Sequence, residues 1–424
     1  MHYLRVSMQD RLVGTLSIDE NQVYYFVYDD SWREDGFAIS PHLGFSADYS
    51  SETIRRFLEN LIPEGQGLDD ITLFDHISKN NIYAIVKTIG HETAGALVFG
   101  IDSEEENNFR WISTEEMTQR IAEIESRSIA IWDKKIRLSL AGVQAKLPII
   151  LKDNAIALGN GAFSSTHIMK FQTKKHIYIV VNELFCMKLA KRIGLRVAEV
   201  SLRRFESYPV LIVERFDRIY REDYVERLHM IDGCQMLDMP TSYKYEQNFG
   251  SSRDVAHVRE GVSFKRLFDM TKVCSVPAKV KLELIHWAMY NLIIANSDAH
   301  GKNLSFFIDH QGINLTPFYD MLCIIMYDFD HRFAMAYGDE FDPHKVQAYD
   351  LRVFADEIGV HHKLVSKVLT NLCNSVIETL DDRVLEGQSL LKDELEFTYK
   401  LQNLIRQRAT NLKTVAEEMD SVSF

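Results

Sequence analysis

Five polar side chains in the segment NSDAHGKNLSFFIDHQGINLTPFYD, residues 296–320, have the types and spacing that phosphoryl transfer requires. Asp298, His300, Lys302 and Asn303 lie within six residues, and the segment ends on Asp320. Such a reaction needs a carboxylate to orient the attacking hydroxyl. It also needs an amide and a second carboxylate to hold Mg²⁺ against the phosphates. Asp298 and Asn303 have the D-x-x-x-x-N spacing of a kinase catalytic loop, and Asp320 would be the metal carboxylate.

The same spacing has a simpler explanation, because Asp and Asn are common in polar turns that do no chemistry. The flanking elements favour a site. SVPAKVKLELIHWAMYNLIIA (275–295) has a proline suited to a first helical turn and apolar residues at helical spacing, so it predicts a buried helix that ends at the loop. LSFFI and INLT around DHQG predict a hairpin that returns Asp320 toward Asp298.

A lysine for the nucleotide phosphates is present upstream. In STHIMKF, Lys170 alternates with Ile168 on a predicted strand, and we expect it to point away from the face of Ile168. Glu183 opens the next helix and could pair with Lys170, as a lysine–glutamate pair does in protein kinases. The alternatives are an exposed strand lysine and a solvent-facing glutamate in a first helical turn.

The segment RLSLAGVQAKLPII precedes that strand and carries a glycine, Gly142, between alternating apolar residues, followed by Lys146. Its position before the strand that carries Lys170 suits a phosphate loop. A bulge or tight turn explains a single glycine equally well.

Composition limits the class of protein. The chain has 424 residues, 46% hydrophobic and 26% charged, which is enough for two or three cores, and its net charge of −13 argues against broad nucleic-acid binding. The pairs Lys134-Lys135 and Lys174-Lys175 are small candidate contacts, with solvated surface lysines as the alternative. Five scattered cysteines without a CxxC pair suit a reducing compartment and buried positions. The sequence shows no signal peptide or membrane span, so we expect a cytoplasmic protein without a membrane partner.

The pattern of elements predicts an α+β fold in three parts. An acidic segment, GIDSEEENN (100–108), closes an α+β subdomain at 1–108, which contains the Ser-capped amphipathic helix SSETIRRFLENLIP. Residues 125–222 are rich in predicted strands and form the small lobe with the phosphate loop and the ATP lysine. Residues 223–424 are mainly helical and carry the catalytic loop.

Seven motifs in this order resemble those of the HipA-like serine/threonine kinases, the toxins of bacterial toxin–antitoxin modules. They are SLAGVQAK (139–146), STHIMK (165–170), VNELFCMKLAKRIGL (181–195), VERFDR (213–218), CQMLDMP with KYE (234–246), SDAHGKN (297–303) and LTPFYD (315–320). The opening module, with FLENLIPEG and ETAGALVFG, resembles the family's N-terminal subdomain. The resemblance implies a bilobal, protein-kinase-like core of the HipA and phosphoinositide-kinase type, with a mainly helical C-terminal lobe.

The resemblance also implies roles for individual residues. Asp298 would be the catalytic base, Asn303 and Asp320 would bind Mg²⁺, and His300 and Lys302 would lie beside the transferred phosphate. The ATP-binding residues would be Gly142, Val143, Gln144 and Lys146 in the phosphate loop, Lys170 at the phosphates, Glu214 and Phe216 at adenine, and Gln235 and Tyr319 in the pocket. Ser139 aligns with the serine whose autophosphorylation inactivates kinases of this family.

Each of these roles has a structural alternative: Glu214 and Asp217 could pair with Arg215 and Arg218, Phe216 could be core, and Ser139 could be a strand hydroxyl. The chain also departs from the family pattern. Ala145 stands where an acidic residue precedes the loop lysine in relatives, and MLCIIMYDFDH after Asp320 differs from the usual continuation. These departures put the substrate in doubt.

Three functions stay open at the level of sequence. The first is a HipA-like kinase that uses ATP and Mg²⁺ to phosphorylate a translation factor such as an aminoacyl-tRNA synthetase. Growth would then arrest under the control of a HipB-like helix-turn-helix antitoxin, through which DNA would be bound. The second is a small-molecule or lipid kinase, because the loop also resembles phosphoinositide and aminoglycoside kinases. The third is an inert corepressor in an antitoxin–operator complex.

Overall fold

A computed structural model describes residues 1–46, 48–100, 108–133, 135–137, 144–160, 163–222 and 224–422. Contacts divide the chain into two compact units. The first unit comprises Met1–Lys175, Arg203–Thr241 and Ser305–Ile313, and the second comprises His176–Leu202, Ser242–Leu304 and Asn314–Phe424. The domain limits that we predicted at 1–108, 125–222 and 223–424 stay a prediction.

Helices are concentrated toward the C-terminal half. In chain order they are α1 (Asp30–Asp35), α2 (Ser51–Glu59), α3 (Gly65–Phe74), α4 (Ile82–Ile89), α5 (Thr114–Ala122), α6 (Ile179–Arg192), α7 (Gly233–Met236), α8 (Phe264–Met270), α9 (Pro277–Ile294), α10 (Ala348–Glu357), α11 (His362–Thr379) and α12 (Lys392–Glu418). The sequence predicted α6 and α9, and each is confirmed within a few residues. None of the helices in the described ranges combines the length and apolarity needed to cross a bilayer.

Strands are concentrated in the first unit. In chain order they are β1 (His2–Met8), β2 (Arg11–Ile18), β3 (Tyr24–Tyr28), β4 (Leu97–Gly100), β5 (Phe109–Ile112), β6 (Ile131–Trp132), β7 (Lys135–Ile136), β8 (Lys146–Lys152), β9 (Ala155–Gly159), β10 (His167–Phe171), β11 (Val200–Phe205), β12 (Tyr208–Glu214), β13 (Arg218–Tyr220), β14 (Val225–Arg227), β15 (Met230–Asp232), β16 (Ser305–Asp309) and β17 (Gly312–Leu315).

The N-terminal sheet has the order β3-β2-β1-β4 and is antiparallel at each pairing. Its strands alternate buried and exposed residues, as expected where one face covers a core. The predicted Ser cap of α2 is confirmed, because Ser50 Oγ accepts a hydrogen bond of 3.1 Å from the Thr53 amide. Its apolar face, including Ile54, Phe57 and Leu58, is buried as the helical spacing predicts.

A six-stranded sheet in the order β11-β12-β10-β8-β9-β5 positions the predicted ATP lysine. β10 lies between β12 and β8, and Lys170 is paired with Leu211 on one side and Lys146 on the other. The expectation that Lys170 points away from the face of Ile168 was wrong, although Lys170 does point away from the buried core. Because side chains alternate along a strand, Ile168 and Lys170 share its partly exposed face, and Met169 and Phe171 fill the core.

The second unit is built on α9, which starts with Pro277 in its first turn and is buried over its last eleven residues except His286. α11 and α12 pack against α9 and α6.

The predicted hairpin after the candidate catalytic loop is confirmed: β16 and β17 are hydrogen-bonded neighbours joined at His310-Gln311. All five cysteines are buried, as the sequence predicted.

A buried cluster of charges joins the N-terminal segment to the six-stranded sheet within the first unit. The Arg215 guanidinium lies 2.8 Å from both a Glu92 and an Asp217 carboxylate oxygen, and Arg218 lies 2.6 Å from Asp217. The amide of Gly95 donates to the same Asp217 oxygen at 2.9 Å. Gly95 has φ +74, and a Cβ there would lie 2.7 Å from a backbone oxygen, so only glycine suits this position.

These contacts predict acid-sensitive stability. Burial would raise the pKa of Glu92, but Arg215 and two neighbouring arginines outweigh it and lower that pKa from 4.5 to about 2. A carboxylate with a depressed pKa stabilises the fold above its unfolded pKa, and that contribution is lost as pH falls from about 4.5 toward 2. We expect Glu92→Gln to cost about 3–5 kcal/mol of unfolding free energy at pH 7, measured by urea denaturation.

The matched control is Glu116→Gln. Glu116 also pairs with an arginine, Arg110, at 2.6 Å, but both side chains are about one-third exposed, so the expected cost is below about 1 kcal/mol. Equal losses in the two variants at pH 7, or an unchanged pH dependence below pH 4.5 in Glu92→Gln, would contradict the assignment.

Candidate functional site

The candidate catalytic loop begins where the buried helix α9 is forced to stop. Ala295 adopts a left-handed conformation with φ 51, and the Asn296 amide donates to the Asn291 carbonyl at 2.9 Å, which closes the last helical turn. The Arg408 guanidinium donates to the Leu292 and Ile293 carbonyls at 2.8 and 3.1 Å. These bonds satisfy helix-end carbonyls that have no partner within α9.

The loop then closes on the backbone of Asp298. The His300 amide donates to the Asp298 carbonyl at 2.8 Å, and the Asn303 side-chain amide donates to the same oxygen at 2.9 Å. The D-x-x-x-x-N pair predicted from sequence is therefore in direct contact. Because the nitrogen of the Asn303 amide faces Asp298, its oxygen, the atom that binds metals, is turned away from that bond.

Asp320 is held at the same loop within the second unit. The Asn296 side chain donates to the Asp320 carbonyl at 3.3 Å, and the neighbouring Tyr319 hydroxyl donates to the Lys302 carbonyl at 2.7 Å. Asp320 has φ 59, a conformation that costs energy for residues other than glycine and that aspartate tolerates better than most. Cys323 lies three residues after Asp320. The Asn182 side chain accepts a hydrogen bond from its amide and donates one to its carbonyl.

His300 lies inside the loop as a neutral ring. Burial, followed by the nearby Lys244 ammonium, lowers the pKa of His300 well below its usual value. Among the described residues its Nδ1 atom has no hydrogen-bond partner. A neutral imidazole donates one hydrogen bond and accepts another. Because its pKa is lowered, His300 would contribute no fixed positive charge at neutral pH.

Sequence reasoning gave no role to Lys244 and Tyr245, which the structure places against the loop. The Tyr245 hydroxyl donates to Asp298 Oδ1 at 2.6 Å, and the Gly301 amide donates to the Lys244 carbonyl at 2.9 Å. The KYE motif (244–246) was noted in the sequence. The loop residues that Lys244 and Tyr245 bond lie more than fifty residues away, so no local pattern indicates these contacts.

The residues predicted for the ATP phosphates lie in the first unit. Lys146 is buried on β8 opposite Lys170, and Gln144 donates to the Phe171 carbonyl at 3.1 Å just before β8 begins. Ser139, Gly142 and Val143 lie outside the described residues, as does Lys134 of the first candidate basic pair. The other lysines of the two basic pairs are exposed.

The VERFDR motif combines an exposed end with a buried one. Glu214 is exposed at the end of β12, and Phe216 packs edge-on against Phe307, with ring centroids 5.9 Å apart. The alternative that Glu214 pairs with the motif's arginines finds no support, because Glu92 joins Asp217 as their buried partner.

Gln235 and Glu183 are both buried. The Gln235 amide bonds to backbone groups at each end: its nitrogen donates to the Phe57 carbonyl at 2.9 Å, and its oxygen accepts from the Asp232 amide at 3.0 Å. Glu183 lies in the second turn of α6 rather than at its start, so a solvent-facing first-turn position is wrong. The Lys170–Glu183 pair stays a prediction.

A magnesium site of the kinase type is compatible with these donors. Within the described ranges, no group of three or more His, Cys, Asp or Glu side chains is placed to hold a metal. Mg²⁺ does not require one, because it keeps several waters and uses one or two protein ligands together with substrate phosphates. An amide oxygen from Asn303 and a carboxylate from Asp320 match that chemistry.

The fold and this loop define a kinase of the HipA type. The family descriptions "HipA N-terminal domain" and "HipA-like C-terminal domain" match residues 4–100 and 138–380. The chain therefore belongs to the HipA family, and the predicted α+β, HipA-like fold class is confirmed.

Two relatives and one solved structure share this organisation. The chain is 41% identical to the "Serine/threonine-protein kinase toxin HipA" of Shewanella oneidensis, over 95% of this chain and 94% of the relative. It is 32% identical to the "Putative kinase Y4mE" of Sinorhizobium fredii, over 91% and 92%. It is also similar to HipA in the Shewanella oneidensis complex of HipA, HipB and operator DNA, with a TM-score of 0.92 and 38% identity over 99% of this chain and 100% of that one.

Packing around the loop yields a prediction at Gly301. A Cβ built there would lie 2.7 Å from a methyl group of Val262, which is fully buried. Because the Gly301 amide also bonds Lys244, the loop cannot move aside without breaking that contact. We expect Gly301→Ala to lower the unfolding free energy by about 1–3 kcal/mol, measured by chemical denaturation.

Gly44→Ala provides the control, since a Cβ at Gly44 would have no atom within 4 Å. We expect that variant to unfold within about 0.5 kcal/mol of wild type. If Gly301→Ala behaves like Gly44→Ala, the close packing of the loop against Val262 is wrong.

Proposed function

We propose that this chain is an ATP- and Mg²⁺-dependent serine/threonine protein kinase that acts as a HipA-like toxin. The observation that supports the proposal is the loop at residues 296–303, which brings three of the predicted residues together. Asn303 is bonded to Asp298, and Asp320 is held at the same loop by Asn296. A base, an amide and a second carboxylate in one place are what phosphoryl transfer to a hydroxyl requires.

Each loop residue has a defined task in this proposal. Asp298 orients the substrate hydroxyl and accepts its proton, and Asn303 and Asp320 hold the metal. Mg²⁺, when bound, neutralises charge on the phosphates. Lys302 supplies a cation beside the transferred phosphate, and the neutral ring of His300 supplies a hydrogen bond there.

The nucleotide side of the proposal draws on the six-stranded sheet. Lys170 and Lys146 are neighbours across paired strands, so two cations lie side by side where phosphates would be received. Gly142, Val143 and Gln144 would complete the phosphate loop. Backbone groups of Glu214 and Phe216 would contact adenine, and Gln235 and Tyr319 would be further residues of the pocket.

The partners follow from the family and the charge. The similar HipA structure contains HipB and operator DNA. We propose a HipB-like helix-turn-helix antitoxin as the partner of this chain, and DNA contact mainly through that antitoxin, since a net charge of −13 does not favour direct phosphate binding. The protein substrate would be a translation factor such as an aminoacyl-tRNA synthetase, which places the action in the cytoplasm.

The central test is loss of transfer in loop variants. We expect Asp298→Ala to reduce phosphate incorporation from labelled ATP into protein by a factor on the order of 10²–10³ or more, because it removes the group that orients the attacking hydroxyl. Asp320→Ala should abolish Mg²⁺-dependent nucleotide binding. Both would be measured with purified full-length protein, by phosphate incorporation and by calorimetric titration with ATP and Mg²⁺.

The control is Asp269→Ala, which removes an aspartate that pairs with Lys265 on the exposed surface of the same unit. It should leave transfer unchanged. Undiminished incorporation by Asp298→Ala would remove Asp298 as the base. Transfer to a lipid or an aminoglycoside in place of protein would favour the small-molecule kinase, and no transfer by wild type to any acceptor would favour the inert corepressor.

A second prediction concerns control through Ser139, three residues before Gly142. A phosphate there would add roughly −1.5 to −2 charge near the site that receives the anionic groups of ATP, and repulsion would displace the loop. We expect mass spectrometry after incubation with ATP to find phosphate on Ser139, and Ser139→Asp to bind ATP more weakly than wild type.

Ser165→Asp is not a suitable control, because Ser165 is buried and bonded to Glu92. Ser31→Asp, at an exposed helix start, is suitable and should leave ATP affinity unchanged. If Ser139 stays unmodified while other acceptors are labelled, this switch is discarded and the kinase assignment stands.

A further inference from the structure

Tyr245 contacts the reacting carboxylate of the proposed site from a distant part of the sequence. Its hydroxyl donates to Asp298 Oδ1 at 2.6 Å, the length of a strong hydrogen bond to a charged oxygen. Its ring also lies edge-on to His300, with centroids 5.2 Å apart. Tyr245 therefore contacts two of the loop residues assigned to the reaction.

The other bonds of the loop act on a different part of Asp298. The Asn303 side chain and the His300 amide both bond the Asp298 carbonyl, so they fix its main chain. The Tyr245 hydroxyl instead engages one oxygen of the carboxylate. A carboxylate that must accept a proton from a substrate needs its side chain, as well as its backbone, held in one orientation.

We propose that Tyr245 is a positioning residue for Asp298. By holding Oδ1, its hydroxyl keeps the carboxylate in one rotamer before substrate binds. This inference rests on the proposed kinase function. It assigns a role in the reaction to a residue outside the motif at residues 297–303.

The segment that carries Tyr245 is itself fixed, which a positioning residue requires. The Lys244 carbonyl accepts from Gly301 at 2.9 Å, and the Glu246 carbonyl accepts from Gly261 at 3.1 Å. A Cβ at Gly261 would lie 1.8 Å from the Tyr245 carbonyl, so glycine allows these two backbones to meet. The hydroxyl therefore extends from a backbone held on both sides of Tyr245.

A second connection ties Glu246 to the loop. Its amide donates to the Ala334 carbonyl at 2.9 Å, and the Ala334 amide donates to the Ser297 carbonyl at 2.9 Å. The Glu246 carboxylate is buried and bonds both Arg259 and the Ala336 amide. Residues 244–246 and the residues before Asp298 are thus parts of one hydrogen-bonded network.

Tyr245→Phe tests the proposal, because it removes the hydroxyl and keeps the ring against His300. With full-length protein, labelled ATP–Mg²⁺ and dephosphorylated casein as the acceptor, we expect kcat to fall about 10- to 100-fold. The KM for ATP and the Tm should stay close to wild type, since Tyr245 is partly exposed and serves the carboxylate rather than the nucleotide. Autophosphorylation is measured in parallel.

Tyr25→Phe is the matched control. Tyr25 also donates a hydrogen bond to an aspartate, Asp19, at 3.3 Å, but it lies on the N-terminal sheet of the first unit, whereas Asp298 belongs to the second unit. It should leave kcat, KM and Tm unchanged. Both variants remove one hydroxyl from a partly exposed tyrosine. A difference in kcat between them would therefore arise from where the hydroxyl lies in the structure.

The outcomes separate this inference from the proposed function. If wild type transfers no phosphate to itself or to casein, the kinase proposal fails and this inference with it. If wild type is active and Tyr245→Phe matches it in kcat, the positioning role is overturned and the kinase stands. A loss of kcat that is accompanied by an equal loss of ATP affinity or by a lowered Tm would also overturn it, because it would indicate a structural role.

Discussion

The hydrogen bonds of the buried Arg408 guanidinium hold the helix end from which the candidate catalytic loop starts. α9 runs through the core of the second unit and must end there, so its last carbonyls cannot be satisfied by water. Arg408, from α12, donates to the Leu292, Ile293 and Pro343 carbonyls at 2.8 to 3.1 Å. A loop that starts from a helix end held in this way begins at a fixed point and in a fixed direction.

From that fixed point, the loop is held by short connections that each use a backbone group. The carbonyl of Asp298 receives two bonds, the carbonyl of Asp320 receives one from Asn296, and the carbonyl of Lys302 receives one from Tyr319. These four bonds use backbone carbonyls for support, and the proposed function assigns the carboxylates and the Asn303 amide oxygen to substrate and metal. The left-handed conformation of Asp320 costs free energy, and such a network can hold the residue in that conformation.

The first unit uses buried charge in a different way. Glu92, from the N-terminal segment, lies against Arg215 and bonds the amide and hydroxyl of Ser165 at 2.9 and 3.0 Å. Ser165 begins the STHIMK motif that carries Lys170, and Arg215 lies between Glu214 and Phe216. The N-terminal family domain is therefore attached, by charge-assisted hydrogen bonds, to the two motifs proposed to receive ATP.

The sequence by itself determined several elements and indicated which residues the proposed reaction would use. Local spacing is enough to predict α9, the hairpin after the loop and the Asp298–Asn303 pair, because helical period, turn composition and a six-residue loop are short-range properties. Only the tertiary structure decided what holds that pair. Arg408 lies more than a hundred residues from the α9 carbonyls that it bonds, and Tyr245 lies more than fifty residues from Asp298. Glu92, and not Glu214, joins Asp217 as a buried partner of Arg215. Contacts between distant segments leave no periodic signal in a single chain, because they are set by how the helices and sheets pack.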